Sequence, residues 1–370
     1  DEGRSVALAT VVEVVRKAPR DPGTTMAVND RGEIAGSVSG GCVEPAVVEV
    51  AQEVLATGQP RLVTFGISDD QAFEVGLSCG GAIHVWVEAV SAGGTLGPHA
   101  AGAAGRGEAG AVGPTLSGPL LHRLAAALRE GRAVALVRVL AAGDDRPTVR
   151  PGAVLLVHEA PEDGHAGSTG DAGLDSLLAS RAREFIARGV TARERVGGAD
   201  AFIHAFTPPP VLYIIGAVHP AAALAEAGRF LGYRVVVCDP RSPFATPERI
   251  PAAHEIVRRW PDEYLASVAL TPRDAVCVLT HDLKFDVPAL LAALRTPVGY
   301  IGVMGSRRTH ERRVAALREA GVAEEELRRL HAPIGLEIGA RTPEELAIAI
   351  VAEIVASRNG AAGTRIPVTT

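Results

Sequence analysis

The chain has 370 residues, 22% of them charged, and a net charge of −6 at neutral pH with no long basic block. That length allows two or three domains and a substantial core, and the modest acidic balance excludes nonspecific nucleic-acid binding. No apolar run is long enough to cross a bilayer, and four cysteines in a chain of this size do not make a disulfide framework.

The acidic start "DEGRSVALATVVEVV" carries Glu13 inside its apolar run and is unlike a signal peptide. A cytoplasmic protein with reduced thiols is expected. In chain order, "VALATVVEVV" (6–15) reads as a strand and "TMAVNDRGEIAGSVSGG" as a hairpin turning at Asn-Asp-Arg-Gly. "PAVVEVAQEVLATG" has helical spacing, with Pro near its start and Gly58 just past its end. "RLVTFG" and "AIHVWVEAV" supply two more strands. Residues 91–118, rich in Gly and Ala and without apolar periodicity, read as a linker.

The segment after this stretch repeats the order. "AVALVRVL" (133–140) echoes "SVALATVV" (5–12), and "AVLLVHE" stands where "TMAVNDR" stood. "GSTGDAG" (167–173) matches "GSVSGGC" (36–42), a helix again ends at glycine, now Gly189, and "AFIHAF" answers "IHVWVEA". An internal duplication is expected. The second copy carries Gly173 in place of Cys42, so a turn of this shape does not require a thiol.

After the proline-rich joint "TPPP" (207–210) strands and helices alternate, which predicts a doubly wound, Rossmann-like domain with a mostly parallel sheet. The final helix opens with Thr342 as N-cap, Pro343 at N1 and Glu345 at N3, a capping box. The expected fold class is therefore α/β, with this C-terminal domain joined to a duplicated N-terminal α+β part. The divisions are 1–90, a linker at 91–120, a degenerate repeat at 121–206 and the C-terminal domain at 207–370.

Cys238 and Cys277 sit inside apolar strand runs and read as small buried hydrophobes. Cys42 and Cys79 instead sit in glycine turns, "SGGCVE" and "LSCGG". Cys42 lies just before a helix start, where free N–H groups and the helix dipole favour a thiolate. Glycines also let a ligand approach and leave N–H groups free to face an anion. Ser39, Gly40, Gly41, Cys42 and Glu44 in the first turn, and Cys79, Gly80 and Gly81 in the second, are candidate ligand contacts. The separation of the two cysteines lacks structural-zinc spacing.

In "IIGAVHPAAAL" only Gly216 of a G-x-G-x-x-G fingerprint survives, with Val218 and Ala221 at the other glycine positions. Asp239 ends the second strand, where it could meet a ribose hydroxyl, but Val218 would crowd a pyrophosphate. The NAD(P) signal is therefore weak. "LTHDLKFD" places His281 and Asp282 beyond a strand end, as ligand contacts or as a helix cap. "GVMGSRRTHERR" places Gly305 and Ser306 at a helix N-terminus followed by Arg307 and Arg308. This is either a phosphate site or an exposed basic helix partnered by Glu311.

Taken together, "GSVSGGCVE", "GLSCGG", "HD" after a strand, "YIGVMGSRR" and "PIGLEIGARTPEELAIAIVAEI" resemble the XdhC/CoxI family across residues 5–90 and 211–358. The resemblance implies an accessory protein, not a turnover enzyme. It would bind the molybdenum cofactor (molybdopterin), shield it during sulfuration and deliver it to a xanthine dehydrogenase-like molybdenum hydroxylase. It implies Cys42 nearest the molybdenum, phosphate held by Ser306, Arg307 and Arg308, and a sulfurtransferase partner. A homodimer is a reasonable assembly. Where the family shows G-x-G-H, this chain has "GAVHP", keeping His219. Two other readings stay open: an NAD(P)-dependent oxidoreductase built on the Rossmann-like domain, and a dithiol redox protein using Cys42 and Cys79.

Overall fold

The computed structural model describes residues 5–15, 20–66, 81–90, 116–143 and 146–364. It divides into two units, Asp1–Pro208 and Pro209–Thr370.

The first unit holds two similar sheets. One is built from β1 (Val6–Val15), β2 (Thr25–Asn29), β3 (Ile34–Gly36), β4 (Arg61–Phe65) and β5 (Ala82–Val90), with α1 (Glu44–Thr57) between β3 and β4. Its strands pair antiparallel in the order β3-β2-β1-β5-β4. After α2 (Gly118–Arg129) come β6 (Val134–Ala142), β7 (Val154–His158), β8 (His165–Gly167), α3 (Ala172–Arg188), β9 (Ala192–Val196) and β10 (Ala199–Phe206). The second sheet has the corresponding order, β8-β7-β6-β10-β9. Leu116 is fully buried and α2 starts at Gly118, so the end of the expected linker is packed structure; residues 91–115 lie outside the described ones.

Strand alternation explains the layering. On β5, Val85 and Val87 face the core under α1, while Trp86 joins Val12, Leu140 and Phe202 in a cluster drawn from both sheets. On β6, Ala135, Val137 and Val139 face α3. The sheets are thus stacked face to face with a helix on each outer side.

The second unit contains β11 (Val211–Ile215), α4 (His219–Phe230), β12 (Arg234–Cys238), β13 (Glu255–Val257), α5 (Pro261–Ala266), β14 (Ala275–Val278) and α6 (Leu283–Leu294). It continues with β15 (Tyr300–Val303), α7 (Arg307–Glu319), α8 (Glu324–Leu327), β16 (Leu330–His331) and α9 (Pro343–Arg358). All six strands are parallel, in the order β13-β12-β11-β14-β15-β16. One core lies between the sheet and α4 with α9, the other between the sheet and α5, α6 and α7. This is the expected doubly wound sheet, and its strand order reverses between β11 and β14, where ligands bind in such folds. No helix among the described residues is long and apolar enough to cross a membrane.

Candidate functional site

The Cys42 turn is organised by one carboxylate. Glu44, the first residue of α1, is 7% exposed. Its Oε1 accepts hydrogen bonds from the Ser37 hydroxyl at 2.7 Å and from the N–H groups of Val38, Ser39 and Gly40 at 3.0–3.2 Å. Its Oε2 accepts from the Ser39 hydroxyl at 2.6 Å and from the N–H groups of Gly41 and Val43. Burial acts to raise the Glu44 pKa, but the hydrogen bonds from Ser39, Ser37 and the backbone outweigh it, and the carboxyl titrates well below its ordinary range. The sequence reading left these N–H groups free to face a bound anion. That reading is corrected: Glu44 already fills the nest, and the Cys42 N–H is directed to Ser39 Oγ at 3.1 Å.

Gly40 and Gly41 adopt φ of +91° and +120°, with nothing within 4 Å of where a Cβ would stand. They are glycines because the backbone is left-handed there, not because something packs on them. What remains outward is Cys42, a free and exposed thiol. Cys238 and Cys277 are buried, and burial raises both thiol pKa values, that of Cys238 to about 12, so neither is a nucleophile at neutral pH.

The second sheet has a corresponding turn organised by Asp175, which accepts from the Ser168 hydroxyl and from the N–H and hydroxyl of Thr169. Gly173 occupies the position of Cys42, so the thiol is an addition to a turn that stands without it. A second difference lies nearby. Residues 66–81 join β4 to β5, whereas Gly197 and Gly198 alone join β9 to β10. The pairing register sends the chain out of β3 toward Cys42 and out of β4 toward Gly66 at the same end of the sheet. Gly81 is buried beside the start of β5; Cys79 and Gly80 lie outside the described residues.

In the second unit, Gly216, His219, Asp239, His281, Asp282, Gly305, Ser306, Arg307 and Arg308 all follow the C-terminal ends of β11, β12, β14 and β15. Gly216 has φ +104°, and a Cβ there would stand 2.5 Å from Thr280 Cγ2. Its absence of side chain admits the neighbouring strand's loop. Asp239 is 1% exposed, and both its oxygens are engaged: Oδ2 accepts from the Ala217 N–H at 2.8 Å and Arg241 Nη2 at 2.7 Å, Oδ1 from Arg241 N and Nε at 2.9 Å. Burial pushes its pKa up, but the Arg241 and Ala217 bonds more than offset this and hold the carboxyl below its ordinary value. A ribose hydroxyl would have to compete with these bonds. His219, at the start of α4, is exposed.

Asp282 caps α6, accepting from the Lys284 N–H at 3.0 Å, and His281 beside it is exposed. Ser306 caps α7, and Arg307 and Arg308 are exposed in its first turn. Beneath them lies a group that sequence reading missed. Asp286 and Arg313, both buried, form an ion pair; Asp286 also accepts from the Thr280 hydroxyl, and Arg313 Nη2 donates to the Thr280 carbonyl at 3.2 Å. This cluster fixes the loops after β14 and β15 together. The available signal was an arginine on the buried side of α7, one turn before Leu317. No group of three or more metal-ligating side chains occurs among the described residues.

Two family models match the chain: "XdhC and CoxI family" over residues 1–66, which contain the Cys42 turn, and "XdhC Rossmann domain" over residues 212–354, which contain the crevice. The chain is 25% identical over 363 residues to a probable xanthine dehydrogenase subunit of Bacillus subtilis (strain 168), covering 97% of this chain and 94% of that protein. It is 27% identical over 357 residues to "Molybdenum cofactor insertion chaperone PaoD" of Escherichia coli (strain K12), covering 96% and 84%. In fold it matches a crystal structure described as a xanthine dehydrogenase from Bacillus halodurans, with a TM-score of 0.63, 24% identity, and coverage of 97% and 93%. Each unit thus contains a segment that a model of this family matches, and the chain belongs to the XdhC and CoxI family.

Proposed function

We propose that this protein is a maturation factor that carries the molybdenum cofactor and hands it to a xanthine dehydrogenase-type hydroxylase. The observation that carries the reading is the exposed Cys42 thiol on a turn whose polar groups are otherwise satisfied internally. A turn held by seven hydrogen bonds to Glu44 presents its thiol in a fixed position, and a thiolate is a ligand for metals. The likeness to an insertion chaperone along 96% of the chain supports the same reading.

The residues suit such a cargo in one respect and limit it in another. The Cys42 turn offers sulfur but no free amide cradle, so it does not hold phosphate. The second unit instead offers exposed cations at a helix N-terminus, Arg307 and Arg308 in the first turn of α7. On this reading a sulfurtransferase supplies sulfur to the carried cofactor, in the cytoplasm, and the chain itself catalyses no turnover.

The test is anaerobic retention of released cofactor after desalting, read as oxidised pterin fluorescence, for the native chain and Cys42→Ser. The substitution touches no hydrogen bond of the turn, so folding stability stays unchanged while retention drops. Equal retention by both proteins removes Cys42 from the ligand. Failure of both to retain cofactor, where a known carrier does, removes the function.

A further inference from the structure

Three separate segments of the second unit meet beyond the C-terminal ends of β12 and β14: the loop after β12, the residue before α5, and the first turn of α6. They bring together alternating cations and rings. Arg249 Cζ lies 5.6 Å from the Phe244 ring centroid, and Arg241 Cζ lies 4.7 Å from Phe244 and 5.6 Å from Phe285. Phe285 stacks on Trp260 at 5.1 Å and 27°, and Lys284 Nζ lies 5.1 Å from the Trp260 ring.

Two of these rings face water, Phe244 at 40% and Trp260 at 37% exposure. Fully burying an aromatic side chain gains about 2 kcal/mol or more, and the fold forgoes part of that here. Arg241 is held from two sides. Asp239 takes its Nε and Nη2, its Cζ lies over the Phe244 and Phe285 rings, and its Nη1 has no hydrogen-bond partner among the described residues. Asp239 is thus consumed in fixing a guanidinium whose remaining N–H edge points away from it. The exposed carboxylate nearby, Asp282, caps α6.

Ring faces accept planar heterocycles, fixed guanidinium edges accept phosphate oxygens, and both stand at the strand ends where doubly wound sheets bind ligands. We propose that Arg241, Phe244, Trp260, Lys284 and Phe285 form a subsite for a planar heterocycle carrying a phosphate, either a nucleotide or a pterin monophosphate. A base or pterin ring lies against the exposed face of Phe244 or Trp260, and its phosphate meets Arg241 Nη1, with Arg249 or Lys284 adding charge. The inference goes beyond the cofactor-carrier reading, since a nucleotide alone satisfies it, and its failure would leave retention through Cys42 untouched.

The test is isothermal titration of the full chain with AMP, CMP, GMP, 6-hydroxymethylpterin monophosphate and inorganic phosphate. Trp260 fluorescence is followed in parallel, because Trp86, the other tryptophan, is buried between the sheets. At least one heterocyclic phosphate binds saturably, and inorganic phosphate binds about tenfold more weakly or not at all. Phe244→Ala weakens binding about tenfold, within the range for loss of one stacking ring, and Arg241→Lys weakens it as well. Phe244 is exposed, so its alanine variant folds; an unchanged melting temperature checks this. Preference for the nucleotides or for the pterin assigns the source. No binding at about 5 mM ligand, or binding that Phe244→Ala and Arg241→Lys both leave unchanged, overturns the subsite.

Discussion

Between Ser37 and Val43, five backbone N–H groups and two hydroxyls converge on the carboxylate of Glu44. Glu44→Gln removes the charge and turns an NH2 group toward donors that need an acceptor, lowering unfolding free energy by about 2 kcal/mol. The effect depends on pH in a fixed direction. The folded pKa lies below the ordinary carboxylate value, so the stabilisation is complete above about pH 4.3, the ordinary value. It fades as pH falls below that toward the folded pKa. Urea unfolding of both proteins should therefore show a constant gap from pH 7 to 5 that narrows in stronger acid. Gly216 makes a second case. Its Cβ position meets Thr280 Cγ2 at 2.5 Å, so Gly216→Ala suffers both overpacking and left-handed strain, about 2–3 kcal/mol together. Thr280→Ser deletes that methyl and keeps the hydroxyl bonded to Asp286, so in its background Gly216→Ala should cost only about 1 kcal/mol. An undiminished penalty would place the problem elsewhere. Both residues were visible in sequence as special positions, but their partners were not. A glycine turn looks the same whether a ligand or Glu44 fills it, and the Asp239 position looks the same whether ribose or Arg241 takes its oxygens.

At the scale of elements, alternation and caps carried most of the fold. The parallel sheet of the second unit follows from strand-helix alternation, and α9 begins as its sequence requires: Thr342 Oγ1 accepts from the Glu345 N–H at 3.2 Å while Glu345 Oε2 accepts from the Thr342 N–H at 3.1 Å. Thr342→Ala removes one half of this box and should lower stability by about 1 kcal/mol, seen as a lower urea midpoint with unchanged slope. The similarity of the two N-terminal sheets was legible for a related reason. Gly36 and Gly167 both have φ +88°, and a Cβ on either would strike a carbonyl of the paired strand, Thr25 O at 2.5 Å or Val154 O at 2.2 Å. The glycine recurs because the geometry recurs. By contrast α2 lay partly inside a stretch read as linker, since Leu116 and Gly118 follow a low-complexity run that masks the start of its apolar face. The Asp286–Arg313 pair was hidden for another reason: its members are 27 residues apart, on two helices that sequence pattern does not bring together.

Across the first unit, the two sheets are joined by a contact that neither sheet contains alone. Arg138 of β6 and Glu88 of β5 form an ion pair in the layer between the sheets, at 3% and 1% exposure, next to the cluster of Val12, Trp86, Leu140 and Phe202. The pair is incompletely satisfied, for Glu88 Oε2, Arg138 Nη1 and Trp86 Nε1 are buried without a hydrogen-bond partner among the described residues. Taking two charges out of water is costly, and their attraction repays this only when the remaining polar atoms are bonded as well. The consequences of single and double replacement should therefore differ in sign. Arg138→Met strands the Glu88 carboxylate between two apolar sheet faces and should lower stability by about 3–5 kcal/mol. Pairing it with Glu88→Leu removes the stranded charge and fills the layer with side chains that need no partner. The double variant should then be as stable as the native chain or more so. Unfolding of the four proteins of this cycle by urea, at constant pH and salt, measures the coupling directly. A double variant as damaged as Arg138→Met would show that the ion pair, rather than apolar contact, holds the two sheets in register.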